Sequence, residues 1–119
     1  MDIEAIDHVY VETADYDAAR AFWEELGFSA ESEWGEGGHR AGKFVRGSAA
    51  VVLATAHGGG KPCGPTVHLR VASTSQAQAA LDASGGVNVV VRDEPTHWGT
   101  RWMRVADPDG NVWVLEQIA

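Results

Sequence analysis

His8 and His68 are the residues of this chain best placed to do chemistry. Each opens a short alternating stretch, His8-Val9-Tyr10-Val11 and His68-Leu69-Arg70-Val71, and the two stretches stand 60 positions apart. An imidazole is a competent ligand for zinc, nickel, iron or manganese, and otherwise a hydrogen-bonding wall of a cavity. Alternation puts Tyr10 and Glu12 on the His8 face and Arg70 on the His68 face. Tyr10 with His68, or Glu12 with Arg70, could act on a bound molecule as acid and base, but an ion pair or a satisfied hydrogen bond is the default expectation. No spacing suggests a Ser/His/Asp arrangement. Cys63, the only cysteine, lies among Lys61, Pro62, Gly64 and Pro65 with no base beside it. No internal disulfide can form, and a nucleophilic thiol is not expected.

The elements that position these residues follow from the periodicity. Residues 6–12 alternate as a strand; Asp15 then caps an amphipathic helix whose stripe is Ala19, Phe22, Trp23 and Leu26, stopped at Gly27. Strands are expected over 28–34, 39–46 and 49–55, with turns at Gly35–Gly38 and at Arg46-Gly47-Ser48. The second half repeats this order. A helix over Ser73–Ala83, with Ala77, Ala80, Leu81 and Ser84 on one side, ends at Gly85-Gly86, and Trp98-Gly99 matches Trp34-Gly35. The stretch from His97 to Gln117 reads as a hairpin turning at Asp107-Pro108-Asp109-Gly110, where Gly110 can take positive φ. Trp102, Arg104, Ala106, Val112, Val114 and Glu116 then share one face, and Met103, Val105, Trp113 and Leu115 the other. Both faces are largely apolar, so helix is expected over one and a cavity over the other. The chain is read as a single domain, 1–119, of α+β class. Modules 1–57 and 66–119 are joined by a Gly/Pro-rich linker, 58–65.

Composition narrows the function. With 9 Lys and Arg against 17 Asp and Glu the net charge is -8, and no basic run exists, so nucleic acid is excluded as a partner. A neutral or cationic small molecule suits that sign better. No apolar run approaches the roughly 20 residues of a membrane span, and the N-terminus lacks the pattern of a secretory signal, so the protein is expected in the cytoplasm, away from membranes.

The βαβββ repeat, the His8 and His68 strand starts and above all the stretch WGTRWMRVADPDGNVWVLE resemble the vicinal oxygen chelate superfamily, which includes glyoxalase I, bleomycin-resistance proteins, fosfomycin-resistance enzymes and extradiol dioxygenases. The resemblance covers nearly the whole chain. It implies two βαβββ modules whose curled mixed sheets enclose a cavity, in a homodimer with ligand sites near the subunit interface. In metal-using members each module supplies one ligand from its first strand and one from its last. Carried over, the first-strand positions are His8 and His68, and the last-strand positions, where the family places Glu, are Leu53 and Val114. Neither Leu nor Val can bind a metal, and two histidines fall short of the three protein ligands of a catalytic site. Glu116 or Glu12 could complete a displaced site only if the strands slid by two residues, nearly 7 Å. The expectation is therefore no metal and no cofactor.

The face carrying His8 and His68 is expected to bind the ligand. Its residues are His8, Tyr10, Leu53, His68, Arg70, Trp102, Arg104, Val112, Val114 and Glu116, together with Val51 and Glu12; Trp34 and Trp98 would rim its mouth, while Trp23 and Trp113 fall in the helix-side core. An aromatic and apolar floor with a few polar groups suits a bulky, partly planar organic molecule. The expected function is a metal-independent, non-catalytic binding protein of the bleomycin-resistance kind, sequestering a small aromatic natural product or antibiotic. The alternatives are a metal-dependent glyoxalase- or dioxygenase-like enzyme using His8 and His68, and a metal-free biosynthetic enzyme on the same fold.

Overall fold

The computed structural model of the protein describes residues 2, 4, 6–55, 66–97 and 99–118. Trp98, Cys63 and the expected linker 58–65 lie outside them. The chain divides into two compact units, Met1–Gly60 and Lys61–Ala119. Unit 1 runs β1 (Val9–Thr13), α1 (Tyr16–Glu25), β2 (Ser29–Glu36), β3 (His39–Arg46) and β4 (Ala49–Thr55). Unit 2 repeats the order as β5 (Val67–Arg70), α2 (Thr74–Ser84), β6 (Asn88–Pro95), β7 (Arg101–Ala106) and β8 (Val112–Gln117). The sheets are ordered β1-β4-β3-β2 and β5-β8-β7-β6. In each the first strand pairs parallel with the last and the other pairs are antiparallel, giving two mixed sheets of an α+β fold. No helix among the described residues is long and apolar enough to cross a membrane.

Helix α1 begins where Asp15 accepts a hydrogen bond from the Ala18 amide at 3.1 Å, and it buries Tyr16, Ala19, Phe22 and Trp23. These pack with Val11, Phe44, Val51 and Leu53 from the sheet, all nearly inaccessible. Gly42 of β3 is required there: a Cβ at that position would overlap the Tyr16 hydroxyl and crowd Phe44 and Glu33. Tyr16 in turn donates to Glu33 at 2.8 Å, and Arg20 donates to the same oxygen at 2.8 Å. Burial first, and then the Glu33 carboxylate, push the Tyr16 phenol up to about 12.

Helix α2 presents a different stripe from the one expected. Thr74, Gln78 and Leu81 are buried, whereas Ala80 and Ser84 are exposed. Polar anchoring rotates the helix. Thr74 donates to Asp93 at 2.6 Å, its amide donates to Gln117 at 2.9 Å, and Gln78 accepts from the Asp93 amide at 3.0 Å. Arg101 completes the cluster with a two-pronged ion pair to Asp93, both contacts at 3.1 Å. These side-chain bonds fix the helix more strongly than small alanine side chains could.

Two carboxylates in these clusters make stability depend on pH. Glu33 is held below its ordinary value of 4.5 by hydrogen bonds from Arg20 and then Tyr16, and Asp93 below 3.8 by those from Arg101 and then Thr74. A carboxyl depressed in the fold takes up its proton more readily in the unfolded chain. Its stabilisation is therefore full above the unfolded pKa and drains away as pH falls through the folded one. The melting temperature should hold from pH 7 to about 5 and fall from about pH 4.5 downward. The Glu33→Gln, Asp93→Asn double variant should melt lower at pH 7 and fall less steeply; an equally steep fall would show that these groups do not carry the dependence.

Candidate functional site

The open face of the second sheet, opposite α2, gathers most of the chemically capable residues. Register sets the arrangement. His68 stands level with Val114, and Val114 with Arg104; Arg70 stands level with Glu116, and Glu116 with Trp102. Side chains of residues level across neighbouring strands point to the same side, so all six share a face, joined by Val112, which is 39 % exposed. The opposite face carries Met103, Val105, Trp113 and Leu115 as buried core.

Glu116 is the hub of this face. One oxygen lies 2.7 Å from His68 Nδ1, and the other accepts from the Thr100 hydroxyl at 2.7 Å. Thr100 is itself fixed through Thr96, whose hydroxyl lies 2.9 Å from that of Thr100 and accepts from the Thr100 amide at 3.0 Å. A carboxylate only accepts, so His68 Nδ1 carries the hydrogen of that contact and Nε2 is turned away from Glu116. A few ångströms along the face, the Arg104 guanidinium lies over the Trp102 ring, 4.3 Å from its centroid. The Trp102 indole N–H donates to Glu94 at 3.0 Å. The result is an aromatic plate capped by a cation beside an imidazole that meets a carboxylate.

The first unit keeps its expected candidates further apart. Tyr10 and Trp34 are 53 % and 52 % exposed, on β1 and β2 at opposite edges of the sheet. His8 precedes β1 and lies 2.8 Å from the exposed Asp7 carboxylate, which it holds below the usual carboxylate range. Leu53 departs from expectation. It stands level with Val11, and Val51 with Val9, so both point to the α1 side and are buried there. The residues that share the Tyr10 and Glu12 face are Val52 and Ala54. The cause is turn length: β3 and β4 are joined by two residues, Gly47-Ser48, whereas β7 and β8 are joined by five, 107–111. An odd difference reverses which residues face a given side, so counting from the turn transfers the wrong parity between repeats.

This donor set does not fit a catalytic metal centre. The residue level with His68 on β8 is Val114, fully buried and without a donor atom. Both oxygens of Glu116 are already engaged. Among the described residues no group of three or more His, Cys, Asp or Glu side chains could hold an ion.

Sequence reasoning placed the residues of the second face but not their partners. Thr96 and Thr100, which lock Glu116, carried no periodic signal, and Glu94 sits on β6, where register with β7 shifts twice.

The sequence profile of the Glyoxalase/Bleomycin resistance protein/Dioxygenase superfamily matches residues 5–115. No curated protein sequence matches the chain. Solved structures share its fold over nearly its whole length. TnmS3, an antibiotic binding protein from Streptomyces sp. CB03234, is 26 % identical, with a TM-score of 0.82 covering 100 % of this chain and 99 % of that one. A glyoxalase family protein from Enterococcus faecalis is 20 % identical, TM-score 0.81, covering 98 % of this chain and 100 % of the other. A glyoxalase I variant from Zea mays is 18 % identical, TM-score 0.80, covering 95 % of this chain and 45 % of the longer one.

Proposed function

The chain belongs to the glyoxalase/bleomycin resistance protein/dioxygenase superfamily, and from that premise we propose that it is a metal-independent binding protein that sequesters a planar aromatic natural product or antibiotic. The observation that carries this reading is the Trp102–Arg104 stack beside Val112 and Val114. An indole surface suits a flat guest and the exposed Val112 supplies apolar area, while the fully buried Val114 stands where a metal enzyme would need a carboxylate. The antibiotic-binding neighbour, similar over its full length, supports the same reading. His68, Arg70, Val112 and Glu116 would line the site with the stack, and Tyr10 and Trp34 on the first sheet, with His8 just before it, remain candidates. We further propose that the protein is a homodimer and works in the cytoplasm, which size-exclusion chromatography with light scattering and cell fractionation would test.

Calorimetric titration against a panel of fused-ring aromatic compounds tests the main reading. At least one should bind, and Trp102→Ala should weaken it about tenfold or more, since lost stacking and lost area together are worth at least about 1.4 kcal/mol. Unchanged affinity in a folded Trp102→Ala protein would remove the stack from the site. A second reading, metal-free proton transfer at His68, is favoured by the Thr100–Glu116–His68 chain. It requires turnover by chelator-treated protein that is lost in Glu116→Gln.

A further inference from the structure

The overall charge of -8 points toward a cationic guest, but the candidate face carries two arginines, Arg70 and Arg104, against Glu94 and Glu116. Elsewhere four of the five described arginines are tied to a carboxylate, Arg20 to Glu33 and Glu24, Arg40 to Asp17, Arg92 to Asp82, and Arg101 to Asp93, the exception being Arg46 at an exposed turn. On the open face of the second sheet, neither Arg70 nor Arg104 has a carboxylate partner among the described residues. The Nε of Arg104 is buried, and no hydrogen-bond acceptor meets it among those residues. Of the acids on this face, Glu116 has both oxygens occupied, by His68 and Thr100, and one oxygen of Glu94 accepts from Trp102.

We infer that the ligand of this face is an aromatic anion, a fused-ring carboxylate or phenolate whose oxygen sits on the Arg104 guanidinium with its ring packed beside Trp102. The inference rests on the aromatic-binding reading above and adds the sign and chemical class of the guest. A guanidinium stacked on an indole keeps its N–H donors in a fixed plane, a geometry suited to two parallel bonds to a carboxylate. The buried Nε is closed to a guest, so an arriving oxyanion would sit on the terminal guanidinium nitrogens, where charge-assisted hydrogen bonds are stronger than neutral ones. A cation would instead meet two guanidinium groups and would have to displace His68 or Thr100 to reach Glu116.

Three probes of one shape separate the possibilities: 2-naphthoate, 2-methylnaphthalene and 2-naphthylmethylammonium, titrated calorimetrically into the full chain near neutral pH. The parent should bind naphthoate about tenfold or more tighter than the ammonium compound. Naphthoate binding should weaken as salt rises from about 0.05 to about 0.5 M, while binding of the hydrocarbon should not. In Arg104→Met, which keeps an apolar stem of similar length, the preference should collapse to within about threefold with hydrocarbon binding retained. Preference for the ammonium compound, or a naphthoate preference that survives in Arg104→Met, overturns the inference while leaving the aromatic site standing. If Arg104→Met does not fold, the salt dependence of the parent decides by itself. Failure of all three probes, hydrocarbon included, overturns the aromatic-binding reading and this inference with it.

Discussion

Replacing Trp23 by alanine should cost about 3–5 kcal/mol of stability, the largest effect expected of any single truncation in the first unit. Trp23 is completely inaccessible. Its ring meets Phe22 edge-on at 5.2 Å and Phe28 at 4.9 Å, so a gap opened there would be walled by two other rings. Phe28 cannot simply move in, because its amide donates to the Trp23 carbonyl at 3.0 Å and fixes the chain as it leaves the helix. The loss therefore combines the transfer free energy of the indole with an unfilled cavity and two lost edge-to-face contacts. Urea denaturation followed by far-UV circular dichroism gives the comparison. Trp23→Phe should recover a substantial part of the loss. A cost below about 1 kcal/mol for Trp23→Ala would mean that the helix is not held to its sheet through this residue.

Trp23 was legible from sequence because helical periodicity alone fixes which side of α1 is buried, and the Asp15 cap fixes where that periodicity starts. The second hairpin was legible for a similar reason. Strict alternation through Trp102–Ala106 and Val112–Glu116 assigned each residue to the side it occupies. Leu53 shows where such reasoning stops. Alternation within β4 was correct, but which alternate set faces α1 depends on the register with β1, and register is set by turn length and by pairing between residues distant in sequence. The stripe of α2 was misjudged for a different cause. Thr74 and Gln78 are polar and so carried no hydrophobic signal, yet they face inward because Asp93 and Gln117 await them. The Glu116–His68 contact and the Arg104–Trp102 stack lay outside the sequence for the same reason. Each depends on a side-chain direction chosen by neighbours on other strands, which spacing along the chain does not record.

Asp107→Ala should be nearly as costly to stability as Trp23→Ala, about 3–5 kcal/mol, and more costly to binding. The Asp107 carboxylate is 7 % exposed and accepts four hydrogen bonds. One oxygen takes the amides of Asp109 at 3.0 Å and Asn111 at 2.8 Å, and the other takes the Asn111 side-chain amide at 2.8 Å and the Trp113 indole N–H at 3.2 Å. Alanine leaves all four donors without that acceptor, and each unsatisfied buried donor costs about 1–3 kcal/mol before relaxation. Asp107→Asn should fall between. Its remaining oxygen can keep the two backbone amides, while its NH2 group would confront the Asn111 amide and the indole N–H, donor against donor. The effect on function follows from what leaves the turn. β7 carries Trp102 and Arg104, and β8 carries Val112, Val114 and Glu116; their alignment is set where Asp107 ties both strand ends together, with Gly110 at φ 86° closing the loop. A slip of one residue would turn one strand's contribution to the opposite face of the sheet. Thermal melts should order the proteins as parent, Asp107→Asn, Asp107→Ala. Naphthoate titration below the melting temperature should show a greater loss for Asp107→Ala than for Trp102→Ala, since the turn aligns both strands that carry Trp102, Arg104, Val112, Val114 and Glu116, whereas Trp102 supplies only one surface. Full binding by a destabilised Asp107→Ala protein would show instead that strand pairing alone keeps the register.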